Sequence, residues 1–234
     1  MVDELSLIIP AHNEEKRILK TLKDYGEILP KKYKDYEVIV ICNGCSDNTF
    51  NIVRESYKNN EKLKLINIEK AGKGNAILNG FKIANKKYIG FIDADDPFES
   101  NNVVEMIDFL DEYDGVIASK WKGRRFREVP EQFSKKVLGR GWNFLTKLFL
   151  KLKFKDTQGG AKFFRKEVID KIDKDFICDG FEFDVELLYK INKNNFRILE
   201  HYLPLNRNES STFKFKYIFK MFNKLLKIWR LSFK

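Results

Sequence analysis

Three carboxylates crowd the end of one apolar run, Ile89-Gly90-Phe91-Ile92-Asp93-Ala94-Asp95-Asp96. Ionised carboxylates this close repel one another unless a cation lies among them. Oxygen donors in small number suit Mg2+ or Mn2+, which complete their shell with water and phosphate oxygens. A solvated acidic turn is the competing reading, and from this string alone the two stand about equally, because Asp-x-Asp recurs by chance. Gly72-Lys73-Gly74 precedes a helical stretch, so its backbone N–H groups can face an anion. It lacks the G-x-x-x-x-G-K-[ST] spacing of an ATP-binding loop, and a tight turn explains it nearly as well. Ser119-Lys120 is followed by Arg124, Arg125 and Arg127, a cluster able either to grip a phosphate or to be a solvated basic loop. Asp184 and Glu186 alternate with apolar residues at a helix start, where carboxylates also serve as caps. Cys42 and Cys45 have the spacing of a redox or zinc pair, but no second Cys or His pair lies nearby, so small buried side chains explain them better.

The elements that must position these residues alternate along the chain. Short apolar runs at Leu5–Ile9, Glu37–Ile41, Leu63–Ile68, Tyr88–Ile92 and Gly115–Ala118 read as strands. Helices are expected between them near Glu14–Leu29, Asn48–Asn59, Asn75–Asn85 and Ser100–Tyr113, capped by Ser46, Asp47 or Asn48 in the second and by Ser100 in the fourth. Strand alternating with helix gives a doubly wound, mostly parallel sheet. Ligands bind beyond the carboxyl ends of such strands, where the polar strings Ala11–Glu14, Cys42–Asp47, Lys70–Gly74, Asp93–Asp96 and Ser119–Arg127 are all found. After Pro130 a basic, apolar stretch leads to Gly159-Gly160, a strand at Ala161–Phe164 and a helix from Phe183.

With 234 residues, 43% of them apolar, the chain can build one α/β domain with a core and is short for two. Its 44 Lys and Arg against 34 Asp and Glu give a net charge of +10, which calls for an anionic partner. Much of the excess lies in Lys135–Lys155 and Phe213–Lys234, each with seven basic residues and no Asp or Glu. Three cysteines, an odd number without framework spacing, argue against a disulfide-stapled secreted fold and for a reducing compartment. The acidic start before a short apolar run differs from a signal peptide, and no apolar stretch nears the roughly 20 residues that span a bilayer.

The ordered set of motifs is far more specific than any one of them. Ile8-Ile9-Pro10-Ala11-His12-Asn13-Glu14, then Val38–Asp47, then Asp93-Ala94-Asp95 resembles the inverting family 2 glycosyltransferases of GT-A fold. Gly72-Lys73-Gly74-Asn75-Ala76, Asp156-Thr157-Gln158-Gly159-Gly160-Ala161-Lys162-Phe163-Phe164 and Phe183-Asp184-Val185-Glu186-Leu187-Leu188 look like the dolichyl-phosphate glucosyltransferase and mannosyltransferase branch. The resemblance implies a GT-A domain over residues 1–212 that takes a hexose from a nucleotide-sugar, first UDP-glucose and next GDP-mannose, and passes it to a polyprenyl or dolichyl phosphate. It further implies Pro10, Asn13, Glu14 and Asn43 around base and ribose, Asp93 facing the nucleotide, and Mg2+ or Mn2+ on Asp93 and Asp95. By the same resemblance Lys73 and Gln158 are expected to line the donor site, and Arg207 with Ser210-Ser211 to cover the diphosphate. Ser119-Lys120 resembles a family Ser-Arg pair, so Lys120 and Arg125 are expected to meet the acceptor phosphate. Asp184 lies where the family places a general base; a lipid phosphate is already ionised, so Asp184 is expected to orient more than deprotonate. Cys42-Asn43 departs from the two adjacent acids usual there, which leaves room for an altered donor or for a non-catalytic nucleotide-sugar binder. A transferase to a soluble glycan or protein is the other alternative.

Residues 213–234 carry lysines at 216, 220, 224 and 227 on an aromatic, aliphatic helix, the composition of a helix lying among lipid headgroups. Trp142–Lys155 has a similar character. Packing on the core with the lysines in water is the plainer alternative for both. The expected setting is therefore peripheral, at the cytoplasmic face of a membrane, without nucleic acid, since no nucleic-acid module accompanies the charge.

Overall fold

The computed structural model describes residues 2–206 and 217–231. Seven strands, β1 (Glu4–Ala11), β2 (Asp35–Asn43), β3 (Leu63–Ile68), β4 (Tyr88–Ile92), β5 (Gly115–Ser119), β6 (Ala161–Arg165) and β7 (Ile198–Tyr202), form one sheet in the order β3-β2-β1-β4-β6-β5-β7. β1 runs parallel to β2 and β4, β2 to β3, and β5 to β7. β6 is antiparallel to both β4 and β5, which the alternation of strands and helices does not reveal. β1 has β2 on one side and β4 on the other, so the chain order reverses there. In sheets of this kind the ligand crevice lies beyond the carboxyl ends of the strands at such a reversal.

Helices α1 (Ile18–Lys32), α2 (Thr49–Tyr57), α3 (Lys73–Ile83), α4 (Ser100–Ile107), α5 (Phe133–Leu150), α6 (Lys166–Lys171), α7 (Phe183–Lys193) and α8 (Tyr217–Leu231) cover both faces. β1 and β2 are apolar and buried almost end to end for that reason. One face of the sheet packs Leu7, Ile9 and Val40 against Leu22 and Tyr25 of α1 and Val103 of α4. The other packs Ile8, Ile39 and Phe91 against Ile77 of α3, Leu187 and Leu188 of α7, and Leu225 of α8.

Two helix ends differ from expectation. α1 begins at Ile18 rather than near Glu14, because the Glu14 carbonyl accepts the N–H groups of Arg17 and Ile18 only after a turn that serves the crevice. Ser100 is not the cap of α4: Glu99 occupies that position, and no side chain caps it. In the second helix Asp47 performs the local bonding, its Oδ1 accepting the Thr49 N–H at 3.0 Å.

The lysine stripe of α8 does not simply face outward. Met221, Leu225 and Ile228 are buried, and Phe222 and Trp229 pack edge-on against Phe149 of α5. Lys220 Nζ donates to Asp179 Oδ1 at 3.2 Å, and Lys224 donates to the Ile177 carbonyl. This part of the expected tail is thus docked on the sheet domain. The apolar surface left uncovered lies mainly on α5, where Phe133, Val137, Phe144 and Leu148 are exposed at helical spacings that place them on one stripe.

Candidate active site

The turn after β4 is clamped from three sides. The Asp93 N–H donates to the Gly160 carbonyl at 2.8 Å, Thr21 Oγ1 donates to the Ala94 carbonyl at 2.8 Å, and Tyr25 OH donates to Asp96 Oδ1 at 3.3 Å. Asp96, buried in a left-handed conformation with φ 34, therefore turns to the α1 side, whereas the Asp93 and Asp95 side chains stay partly exposed beyond the end of β4. Gly160 admits no side chain, since a Cβ there would come within 2.7 Å of Asp93 Oδ2.

The loops after β1 and β2 are tied to each other. Asn13, with φ 58, accepts the Ser46 N–H on its Oδ1 at 2.8 Å, and His12 Nδ1 meets the Asn43 carbonyl at 2.7 Å. Asn43 is buried: its Nδ2 donates to the Ala11 carbonyl at 2.7 Å and its Oδ1 accepts the Gly72 N–H at 2.9 Å. That amide joins three loops and has little left for a ligand. Gly72 itself needs φ 146 and backs onto the Asp179 carbonyl, 2.3 Å from where a Cβ would stand. Pro10 lies within β1, opposite Ile41. Cys45 donates to the Ala11 carbonyl at 3.4 Å, and Cys42, Cys45 and Cys178 are all free.

Glu14 places its carboxylate 2.5 Å from Arg17, which also stands 3.4 Å from Asp95. Burial outweighs Arg17, and with the negative charges of Asp95 and Asp93 nearby it pushes the Glu14 carboxyl up to about 7. A raised acid binds its proton more tightly in the folded than in the unfolded state, so stability falls as pH rises from about 4.5 to about 7. Glu14→Gln removes the charge and is expected to flatten that slope, gaining up to about 3 kcal/mol at pH 8 and little at pH 4.5. Urea unfolding at the two pH values checks this.

Lys73, the first residue of α3, brings its ammonium 2.7 Å from Asp93 and 3.0 Å from Asp184. Asp184 is fully buried in the first turn of α7, and its second oxygen lies 2.6 Å from the ammonium of Lys162 on β6. Burial alone would raise the Asp184 carboxyl, but Lys162 and Lys73 hold it below the usual carboxylate range. It is neither a surface cap nor open to a substrate proton. Glu186 also points inward, accepting the backbone N–H groups of Ile177 and Cys178.

The remaining expected residues form the wall beyond β5. Lys120 pairs with Glu131 at 2.9 Å and donates its backbone N–H to the buried Asp156. Asp156 also accepts the N–H of Gln158, whose Nε2 is buried without a hydrogen-bond partner. Arg124, Arg125 and Arg127 are exposed, Arg124 standing over the Tyr202 ring. Arg207, Ser210 and Ser211 lie outside the described residues. Arg17, Asp156 and Lys162 carry weight that reading the motifs did not give them. Lys162 had a usable signal, a lone Lys between Ala161 and two Phe in a strand, where burial demands a carboxylate.

Among the described residues no three His, Cys, Asp or Glu side chains converge into a metal-binding group. Asp93 and Asp95 are instead two hard oxygen donors at the crevice, a set that suits a cation keeping water and phosphate in most of its shell. The Glycosyl transferase family 2 domain matches residues 6–173, which include every loop of this crevice up to β6. The chain belongs to glycosyl transferase family 2. Asp184 on α7 lies past the matched segment of this family 2 domain. Among curated relatives, glycosyltransferase AglD of Haloferax volcanii is 27% identical over 84% of this chain and 32% of its own length. Dolichyl-phosphate beta-glucosyltransferase of Drosophila melanogaster is 32% identical over 80% of this chain and 62% of its own length. The chain thus spans a third to two thirds of these relatives. Glucosyl-3-phosphoglycerate synthase from Mycobacterium tuberculosis, solved with Mn2+, UDP and phosphoglyceric acid, superimposes with a TM-score of 0.68 at 16% identity, over 97% of this chain and 78% of that one. The architecture is the GT-A fold expected from the motifs.

Proposed function

We propose that this family 2 chain transfers a hexose with inversion from a nucleotide-sugar, UDP-glucose first, to a polyprenyl or dolichyl phosphate. The observation that carries the reading is the end of β4, where Asp93 stands beside the Lys73 ammonium and Asp95 beside the Arg17 guanidinium. The likeness to a dolichyl-phosphate beta-glucosyltransferase supports the acceptor and the sugar. Asp93 and Asp95 would hold Mg2+ or Mn2+, whose chemistry there is to neutralise charge developing on the departing diphosphate. Lys73 adds a fixed positive charge at the same place. Gln158 offers its unpartnered amide to the sugar or diphosphate, and Asn13 and Asn43 shape the nucleotide loops. The acceptor phosphate is its own ionised nucleophile, met by the exposed arginines around Arg125.

Thermal shift with UDP-glucose, UDP-N-acetylglucosamine, UDP-galactose and GDP-mannose, each with and without Mn2+, tests the donor. A ligand at 100 times its dissociation constant adds about 2.7 kcal/mol. Stabilisation by UDP-glucose that needs the metal supports the reading; a response to GDP-mannose alone replaces the donor, and no response to any donor removes the reading.

The bilayer is met by the exposed stripe of α5, flanked by Arg140, Lys147 and Lys151, at the cytoplasmic face in keeping with three free thiols. No helix among the described residues is long and apolar enough to cross a membrane. Phe144 and Leu148 are 65% and 61% exposed, and burying such side chains gains about 1.5–3 kcal/mol each. Phe144→Ser with Leu148→Ser is therefore expected to weaken binding to phosphatidylglycerol-containing vesicles at least about tenfold in a flotation assay, with unchanged melting; undiminished binding would move the contact elsewhere.

A further inference from the structure

Four charges run in single file from the interior to the crevice. Lys162 on β6, opposite Phe91 of β4, is wholly buried, its ammonium donating to the Gly159 carbonyl and to Asp184 Oδ1, both at 2.6 Å. Asp184 Oδ2 lies 3.0 Å from Lys73 Nζ, and Lys73 lies 2.7 Å from Asp93 Oδ1. Side-chain exposure rises along the file from 0% at Lys162 and Asp184 to 11% at Lys73 and 28% at Asp93. The two ammonium groups also stand over the same ring, each 5.5 Å from the Phe91 centroid.

The order of this file decides what each member can do. A general base needs a lone pair aimed at a substrate proton. Asp184 Oδ1 instead accepts from Lys162, and Oδ2, which accepts no hydrogen bond of good geometry, lies 3.0 Å from the Lys73 ammonium in a place without solvent. Lys73 is the only cation of the file with a surface in the crevice.

We infer that Lys162 and Asp184 are positioning residues which, acting together, hold the Lys73 ammonium at the crevice mouth to receive the anionic diphosphate of the donor. The inference rests on the nucleotide-sugar reading above. Asp184 alone would carry an uncancelled buried charge and draw Lys73 inward onto itself. Lys162 cancels part of that charge, so Lys73 stays shared with Asp93 and can turn to an incoming phosphate. Removing Asp184 alone would leave two desolvated ammonium groups repelling each other.

Calorimetric titration of UDP-glucose with Mn2+ into wild type, K73M, K162M/D184N and the triple variant tests this, with a melting curve for each. The double replacement removes opposite charges together, the change a buried pair tolerates best. Should it not fold, K162Q/D184N, which retains a donor for the Gly159 carbonyl, takes its place. The expected result is about tenfold weaker binding for K73M, a similar loss for the pair variant, and no further loss in the triple variant, since residues acting through one another are non-additive. Wild-type affinity in the folded pair variant, or losses that multiply in the triple variant, would overturn the inference. Absence of binding by wild type would remove the underlying reading and the inference with it, whereas binding by wild type and pair variant alike would remove the inference only.

Discussion

Asp95→Asn is expected to lower hexose transfer roughly 10²–10³-fold at saturating Mn2+, since it would loosen the hold on the cation that neutralises charge developing on the diphosphate, a loss on the scale of removing one electrostatic stabiliser. The fold should survive. Asp95 is a partly exposed side chain whose ion pair with Arg17 is long, at 3.4 Å, and Asn preserves its shape. Stability should even rise slightly at neutral pH, because Asp95 is one of the charges that hold the Glu14 carboxyl at about 7. Initial rates and melting curves on the same preparation separate the two effects. A rate within threefold of wild type would mean that the carboxylate at Asp95 has no part in catalysis.

Asp184→Asn is expected to cost about 3–5 kcal/mol of stability, the penalty for breaking a buried ion pair from one side. Lys162 and Lys73 would both lose their shared counter-charge. The pH dependence carries a second signature. A carboxyl held below its unfolded value near 3.8 contributes stability that is fully present above that pH and is lost as pH falls towards the lowered folded value. The wild type should therefore lose stability below about pH 4 with a slope that Asp184→Asn lacks. Denaturant unfolding at pH 3 to 6 measures both. An Asn variant as stable as wild type would show that the buried file of charges does not hold α3, α7 and β6 together.

The parallel part of the sheet was legible because β1, β2 and β4 are largely apolar runs ended by turn residues, and local pattern alone marks those. The reversal of β6 was not, since Ala161–Arg165 looks the same in either direction and its pairing is set by partners far along the chain. Asp93 and Asp95 announced themselves by crowding. Asp96 belonged to the same string yet turns to Tyr25, a difference made by one left-handed residue. The family resemblance put Asn43 near base and ribose, and its amide is taken up by the Ala11 carbonyl and the Gly72 N–H, partners far along the chain. Asp184 and Lys162 lie 22 residues apart on different elements, so neither spacing nor propensity could pair them. Of the lysines expected on a headgroup-facing stripe, Lys220 and Lys224 pair with Asp179 and the Ile177 carbonyl, Lys227 is exposed, and Lys216 lies outside the described residues.

The central claim is tested most directly by incubating the protein with radiolabelled UDP-glucose, Mn2+ and dolichyl phosphate in phosphatidylglycerol-containing vesicles, then separating lipid-linked from free sugar. The account predicts label in an acid-labile lipid phosphate with release of one UDP per sugar, lost in Asp95→Asn. Donor binding without any lipid-linked product, with dolichyl or shorter polyprenyl phosphates alike, would contradict it.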